Sequence, residues 1–285
     1  MRQFCTDLMR SKAGLVGFIL LVLFITVAIC APLSGLPDPT RGSLRARLEA
    51  PTWTSLFSPG AHPLGADELG RDILARLVYG SRTTLMVATS AVFLGGIVGT
   101  LLGIMAGYLG GITDRVLMRL VDIQLAIPLM LLALLVVAAL GPSLQNVILV
   151  LALTSWIRYA RIIRGQVLAV REREFIQSAR AIGASAWRIM IVHILPNVLT
   201  PALVVATLEL ARVIIMDAAL SFLGLGVQPP SPSWGRMLAD GRVYISSAWW
   251  TVTFPGLAIM LTVLGVNLFG DWLRDYFDPK SRNAK

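Results

Sequence analysis

Few side chains in this sequence have a type and spacing that could catalyse a reaction or hold a metal ion. The two histidines, His62 and His193, are separated by apolar segments that place them on opposite faces of a membrane, so they cannot share a metal ion or act as an acid–base pair. A phosphate-binding Walker A loop ends in Gly-Lys-Ser/Thr, whereas the three lysines of this chain follow Ser11, Pro279 and Ala284. Neither an HExxH nor a GxSxG motif occurs. We therefore expect no catalytic residue, no metal site and no cofactor bound by this chain.

The composition is that of an integral membrane protein. Of the 285 residues, 56% are hydrophobic and 14% charged, and the mean hydropathy is +0.74. A soluble domain has roughly 45–50% apolar and about 25% charged residues. The formal net charge is +9, but the positive residues are divided among loops between apolar segments. We therefore expect membrane lipid, and not nucleic acid, to surround the chain.

Six apolar segments are long enough to cross a bilayer, which takes about 20 residues. Gly141-Pro142 divides the longest apolar window, because proline removes a helix hydrogen bond. The first segment is longer than the roughly 7–15 apolar residues of a signal peptide, so we expect it to be retained. The predicted spans are 14–32, 83–107, 118–140, 143–163, 198–223 and 250–272. The predicted fold class is all-α, a polytopic membrane protein with six transmembrane helices.

The distribution of arginine and lysine predicts the orientation. With the N-terminus inside, 16 of the 25 positive residues lie on the inner side and 8 on the outer side, with Arg212 within a span. Both termini are therefore predicted to be cytoplasmic. The predicted regions are the N-terminus 1–13, a transmembrane domain 14–272 with outer segments 33–82 and 224–249 and a cytoplasmic loop 164–197, and the C-terminal tail 273–285.

The charged residues within the predicted spans include four candidates for a polar role: Asp122, Glu209, Arg212 and Asp217. Charges in a bilayer are costly and usually face a cavity or another helix. Glu209 and Arg212 are spaced to pair on one helix face, and Arg119 lies near Asp122. The alternatives left open are a pore lining and a contact between subunits. A self-sufficient secondary transporter would use Glu209 or Asp217 as a proton relay.

The loop 164–197 is longer than most connections between helices, which favours a structured loop or a bound partner. Its apolar residues recur at mixed three- and four-residue spacing, as in short amphipathic helices. Gly183 is expected to end or bend the first helix, and Pro196 marks the entry to the next span. The periodicity leaves two alternatives open, a basic helix lying on anionic lipid and a docking element for a soluble partner.

The order of small residues in this loop resembles the EAA motif of ABC-importer permeases. Gln177-Ser178-Ala179, Gly183 and Leu195-Pro196 stand in the register of that motif. The sequence departs from it at Gln177, Ser178 and His193, where the motif has Glu, Ala and Ile. Three further segments, His62–Leu85, Leu220–Leu238 and Asn267–Pro279, are similar to the dipeptide/oligopeptide/nickel permease family, most closely to its C-type subunit.

The resemblance implies the fold of a type I importer permease in a bacterial cytoplasmic (inner) membrane. Such a subunit works with a homologous second permease, one or two ATPase subunits that bind ATP and Mg²⁺, and an extracytoplasmic substrate-binding protein. It implies a coupling helix over Glu174–Ala184, and an outer docking role for the charged cluster before the second span. The implied coupling residues are Glu174, Gln177, Ser178, Ala179, Gly183, Ala184 and Pro196, and the implied docking residues are Asp67, Arg71 and Asp72.

The charged cluster has an alternative interpretation as a solvated interfacial helix, with pairs such as Asp67–Arg71 four residues apart. The family transports di- and oligopeptides, nickel complexes, glutathione and related solutes. The resemblance therefore implies a non-catalytic permease subunit for one of these solutes. A membrane scaffold that recruits a partner but moves no solute is a third hypothesis.

Overall fold

The structure, a computed structural model, describes residues 2–52 and 62–277. These residues form helices joined by turns, with two isolated β-bridges. A π-helical stretch, Ile189–Ile194, joins α8 to α9. The helices are α1 (Arg2–Arg10), α2 (Lys12–Cys30), α3 (Ile73–Leu109), α4 (Gly111–Leu125), α5 (Leu129–Leu140), α6 (Leu144–Val170), α7 (Glu174–Ala181), α8 (Ala186–Arg188), α9 (Leu195–Phe222), α10 (Trp234–Gly241) and α11 (Trp250–Phe277).

Polar caps begin the long helices, and several helices extend beyond the apolar windows. Asp72 accepts a hydrogen bond from the Ala75 N–H at 2.7 Å, so α3 begins ten residues before the predicted span. Ser143 caps α6 in the same way. A side-chain oxygen at this position satisfies a helix N–H that has no partner within the helix. The long helices therefore carry both the apolar spans and the polar segments beside them.

The prediction of one straight helix over 118–140 is wrong. The chain breaks between α4 and α5, and the two helices are bent by 88°. Pro128 precedes α5, and a proline disfavours helical geometry in the residue before it. Within residues 2–52 and 62–277, five helical segments are long and apolar enough to cross a membrane, or six if the bent pair counts as one span. The last predicted region, 273–285, lies outside the described residues from residue 278 onward.

A row of glycines lets α3 and α6 pack with their backbones in close contact. Gly95, Gly99, Gly103 and Gly107 each face α6, where an added Cβ would overlap backbone or Cβ atoms. The small residues at this interface allow an approach that larger side chains prevent. This helix pair forms the centre of the fold.

The first and last spans also pack against each other, through Gly17 of α2 and the backbone around Leu268 of α11. At one end of the bundle, which we call the α10 end, residues from the ranges 31–52 and 62–72 pack on α10 and α11. The Trp250 N–H donates to the Ala66 carbonyl at 3.1 Å, and the Trp234 N–H donates to the Leu77 carbonyl at 2.9 Å. The opposite end carries α7, and we call it the α7 end.

Candidate functional site

The connection from α6 to α9 contains α7 and a sharp turn. α7 ends at Ala181, three residues before the predicted end of the coupling helix at Ala184. Gly183 has a φ of +80°, and the Ala184 N–H donates to the Ala179 carbonyl at 3.0 Å. This arrangement ends a helix and is favoured by glycine, which has no side chain to oppose a positive φ. Gly183 is therefore the turn after the helix and not part of it.

One face of α7 is anchored in the bundle. Ile176 is completely buried and Ala179 is nearly so. They join an apolar cluster with Ile163 of α6, Ile194 of the π-helical stretch and Val198 of α9. Because this cluster contains residues from α6 and α9, a displacement of α7 moves the ends of both helices.

Two arginines connect this segment to α3. The Arg180 guanidinium lies over the Tyr108 ring, 4.9 Å from its centre, in a cation–π geometry. Arg171 donates to the Gly107 carbonyl at 2.9 Å. α7 is therefore attached to three long helices, α3, α6 and α9.

Three large apolar side chains of this segment are exposed to solvent. Phe175, Ile182 and Trp187 are exposed, Ile182 to 85%, and we call these three residues the α7 surface. Exposed apolar groups of this size, close together, are typical of a protein or membrane contact. Of the residues implied by the resemblance, Ala179 is buried and Ala184 half-buried, while Glu174, Gln177, Ser178, Gly183 and Pro196 are exposed.

A group of three charges lies near the middle of two long helices, and we call it the mid-helix triad: Arg158, Glu209 and Arg212. Arg158 Nε lies 3.1 Å from Glu209 Oε1, and Arg212 Nη1 donates to Glu209 Oε2 at 3.4 Å. Glu209 is only 2% exposed, whereas the Arg158 side chain is 54% exposed. The expected pair on α9 is therefore present, with a second arginine from α6 that sequence spacing did not predict.

Asp122 pairs with Arg161 of α6 at 2.6 Å. The partner of Asp122 is therefore an arginine of α6 and not the neighbouring Arg119, because α4 packs beside α6. One turn further along α6, Arg164 forms a two-pronged contact with Asp114, with Nη2 2.6 Å from Oδ2. This contact lies at the α7 end of the bundle, next to the α3–α4 turn. Neither of these two contacts between distant segments could be predicted from residue spacing.

Asp217 is almost completely buried in α9, and its Oδ1 has no hydrogen-bond partner. It therefore does not line an open cavity in this structure. A cavity of about 1010 Å³ lies instead between α3, α9 and α11 and is almost entirely apolar. In the described part of the chain, no three His, Cys, Asp or Glu side chains are grouped to hold a metal ion.

The charged cluster before α3 is buried and forms a turn, so the interpretation as a solvated interfacial helix is wrong. Arg71 Nε lies 2.7 Å from Asp67 Oδ2, and Arg76 contacts the same carboxylate. Asp72 caps α3 and its Oδ2 lies 3.0 Å from His62 Nδ1. Burial, and then the charge of Asp67, raise the pKa of Glu68. Asp67, Arg71 and Asp72 therefore hold the α10 end together, and a docking role for this region stays a prediction.

The comparisons with known proteins extend over the whole chain. A family model described as "Binding-protein-dependent transport system inner membrane component" matches residues 99–283. The chain is 45% identical to the dipeptide transport system permease protein DppC of Alkalihalophilus pseudofirmus, over 99% of this chain and 90% of that protein. It is 42% identical to the di/tripeptide transport system permease protein DppC of Pseudomonas aeruginosa, over 100% of this chain and 93% of that protein.

A solved structure shares the fold. A chain of the MetNI methionine ABC transporter, in an inward-facing conformation, superposes with a TM-score of 0.59. The match is 21% identical and covers 72% of this chain and 98% of that chain. At that identity the likeness shows the fold alone.

Proposed function

The chain belongs to the family of binding-protein-dependent transport system inner membrane components, and from that premise we propose that it forms half of a translocation path for di- and oligopeptides. It is a permease subunit of an ABC importer with several membrane-spanning helices. The names of the relatives, which are dipeptide and di/tripeptide permeases, support the choice of cargo. The second half of the path is a homologous permease.

The observation that carries the mechanism is the anchoring of α7. Ile176 and Ala179 fix one face of α7 to α6 and α9, and Arg180 fixes it to α3. The exposed apolar residues of this segment form the α7 surface, which is suited to an apolar groove on a soluble partner. An ATPase that contacts this surface differently in its two states would therefore shift three long helices together.

The role of an importer subunit also assigns the two ends of the bundle to the two sides of the membrane. The α7 end is cytoplasmic, as are both chain termini, and the α10 end meets the substrate-binding protein outside. ATP and Mg²⁺ bind to the partner ATPases, and this chain does not catalyse their reaction. The absence of Gly-Lys-Ser/Thr from the sequence supports that division. We expect Gly183, and the residues around it that resemble the EAA motif, to contact the ATPase.

Affinity purification of the chain in mild detergent, with mass spectrometry of the proteins that accompany it, tests the assembly. We expect a second six-helix permease and one or two ATPases with Walker A motifs. The whole complex in liposomes, with its binding protein, is expected to transport dialanine only when ATP is supplied on the side of the membrane that carries the ATPases. A chain that purifies alone and transports solute with a proton gradient would overturn the proposal in favour of a secondary transporter.

A variant of the α7 surface tests the coupling mechanism. Ile182→Glu places a charge on an 85% exposed residue that contributes nothing to the core. We expect the complex to lose ATPase subunits on purification and to lose uptake. The matched control is Leu33→Glu, which changes an 86% exposed residue at the α10 end. Equal retention of ATPase in both variants contradicts the assignment of this surface.

A further inference from the structure

The mid-helix triad contains one more positive than negative charge. α6 carries Arg158, Arg161 and Arg164 three residues apart, so that they follow successive turns of one helix. Arg161 and Arg164 each have their own carboxylate, in Asp122 and Asp114. Among residues 2–52 and 62–277, the only carboxylate within 4.0 Å of Arg158 or Arg212 is Glu209, which they share. Of the three arginines of α6, only Arg158, which is furthest from α7, therefore has no carboxylate of its own.

The helix positions of the triad place it inside the hydrocarbon core of the membrane. Arg158 is the fifteenth of the 27 residues of α6, and Glu209 is the fifteenth of the 28 residues of α9. At about 1.5 Å per residue, both lie roughly 20 Å from the ends of their helices at the α10 end. The hydrocarbon core is about 30 Å thick. The triad is therefore within it and not at the headgroups.

The exposure of the two arginines indicates what surrounds their guanidinium groups. Glu209 is buried beneath them, but the Arg158 side chain is 54% exposed and that of Arg212 29% exposed. An exposed guanidinium at this depth is costly against lipid and faces a cavity or a bound group. Each guanidinium has five N–H donors, and the contacts to Glu209 engage Nε of Arg158 and Nη1 of Arg212. Donors of both side chains remain available to an acceptor.

We propose that Arg158 and Arg212 form a transient subsite for the carboxylate of the cargo, within the translocation path. A carboxylate has two acceptor oxygens that match the planar donor groups of arginine. Glu209 holds both guanidinium groups in place and reduces their net charge to one. A single excess charge binds an anion weakly enough to release it, which a transport path requires. This inference rests on the proposed peptide import and adds the chemical group that the path recognises.

The direct test uses the purified complex of two permeases and their ATPases, without the binding protein. Saturation-transfer NMR compares dialanine with its C-terminal amide, which lacks the carboxylate charge. We expect a clear signal from dialanine and a signal about tenfold weaker from the amide, since a charge-assisted contact is lost. Arg158→Gln is expected to reduce the dialanine signal to that of the amide, and Arg158→Lys to retain most of it. Equal signals from acid and amide, or an unchanged dialanine signal with Arg158→Gln, overturn the subsite.

Uptake by the reconstituted complex provides the second measurement. With saturating loaded binding protein, Arg158→Gln is expected to lower dialanine uptake about tenfold, the same loss of one charge-assisted contact, while ATP hydrolysis continues. The matched control is Arg161→Gln, which removes an equally exposed arginine one turn away and is expected to transport normally. If Arg158→Gln instead releases the second permease on size exclusion, the arginine belongs to the subunit interface and the subsite is overturned. Failure of the wild-type complex to transport would count against peptide import itself, and the NMR comparison would still decide the subsite.

Discussion

Replacing Gly99 by alanine tests the close packing of α3 and α6. The added Cβ would lie 2.5 Å from Tyr159 Cβ and still closer to the Trp156 carbonyl oxygen. Ordinary contact begins at 3.4 Å, so the overlap is about 0.9 Å with an atom that no side-chain rotation can move. The two helices must therefore separate along the glycine row.

The magnitude follows from two opposing terms. Overpacking a closely packed interface costs about 1–3 kcal/mol, and the overlap with backbone and Cβ atoms argues for the upper part of that range. Alanine in place of glycine within a helix restores about 1 kcal/mol. We therefore expect Gly99→Ala to lower the free energy of unfolding by about 2 kcal/mol, the difference between these terms.

The matched control is Gly165→Ala in α6, where an added Cβ meets nothing within 4 Å. It is expected to be neutral or to stabilise by up to about 1 kcal/mol, because only the helix-propensity term remains. Thermal unfolding of the purified protein in detergent, followed by circular dichroism, measures both variants. A melting temperature of Gly99→Ala equal to that of Gly165→Ala would refute the argument from backbone contact.

Three further predictions concern the ends of the bundle. Gly183→Leu is expected to lose uptake at normal membrane abundance, because a bulky residue opposes the positive φ. Gly183→Asn is expected to keep most of the uptake, since asparagine tolerates that conformation. Equal uptake by the two variants contradicts the role of the turn. Asp67→Asn removes the charge shared by two buried arginines and is expected to destabilise the protein by about 3 kcal/mol, measured as a lower melting temperature against the exposed control Asp38→Asn. Arg164→Lys keeps the charge but loses the two-pronged contact with Asp114, and is expected to cost about 1 kcal/mol of unfolding free energy, while an unchanged unfolding midpoint in urea would show that the contact is not stabilising.

Local patterns predicted the fold, whereas contacts between distant segments required the structure. The family and the all-α membrane fold, both predicted from motifs and apolar windows, are confirmed. Apolar length located the spans but not the start of α3 at Ile73, because the capping residue Asp72 stands outside the apolar window. The break before α5 had a signal in Pro128, within an apolar run that we interpreted as continuous.

In the candidate site, too, the sequence predicted contacts within one helix but not contacts between helices. Helical spacing predicted the pairing of Glu209 with Arg212, since both residues are on α9. No local rule connects Arg158 to Glu209 or Arg161 to Asp122, because these pairs depend on how α6 packs against α9 and α4. The sequence predicts that the charged cluster around Asp67 is exposed. In the structure, the turn between residues 62 and 72 buries it. The coupling and docking roles stay predictions.

The hydrogen bond from Trp250 to Ala66 determines the order in which the α10 end can form. Ala66 lies before α3 and is synthesised before Trp250, which begins α11. α2 likewise packs closely against α11, through Gly17. These contacts therefore remain unmade in the membrane until α11 has been synthesised. A truncation before α11 would remove these contacts from α2 and from residues 62–72, and we expect such a fragment to be a target for membrane proteases.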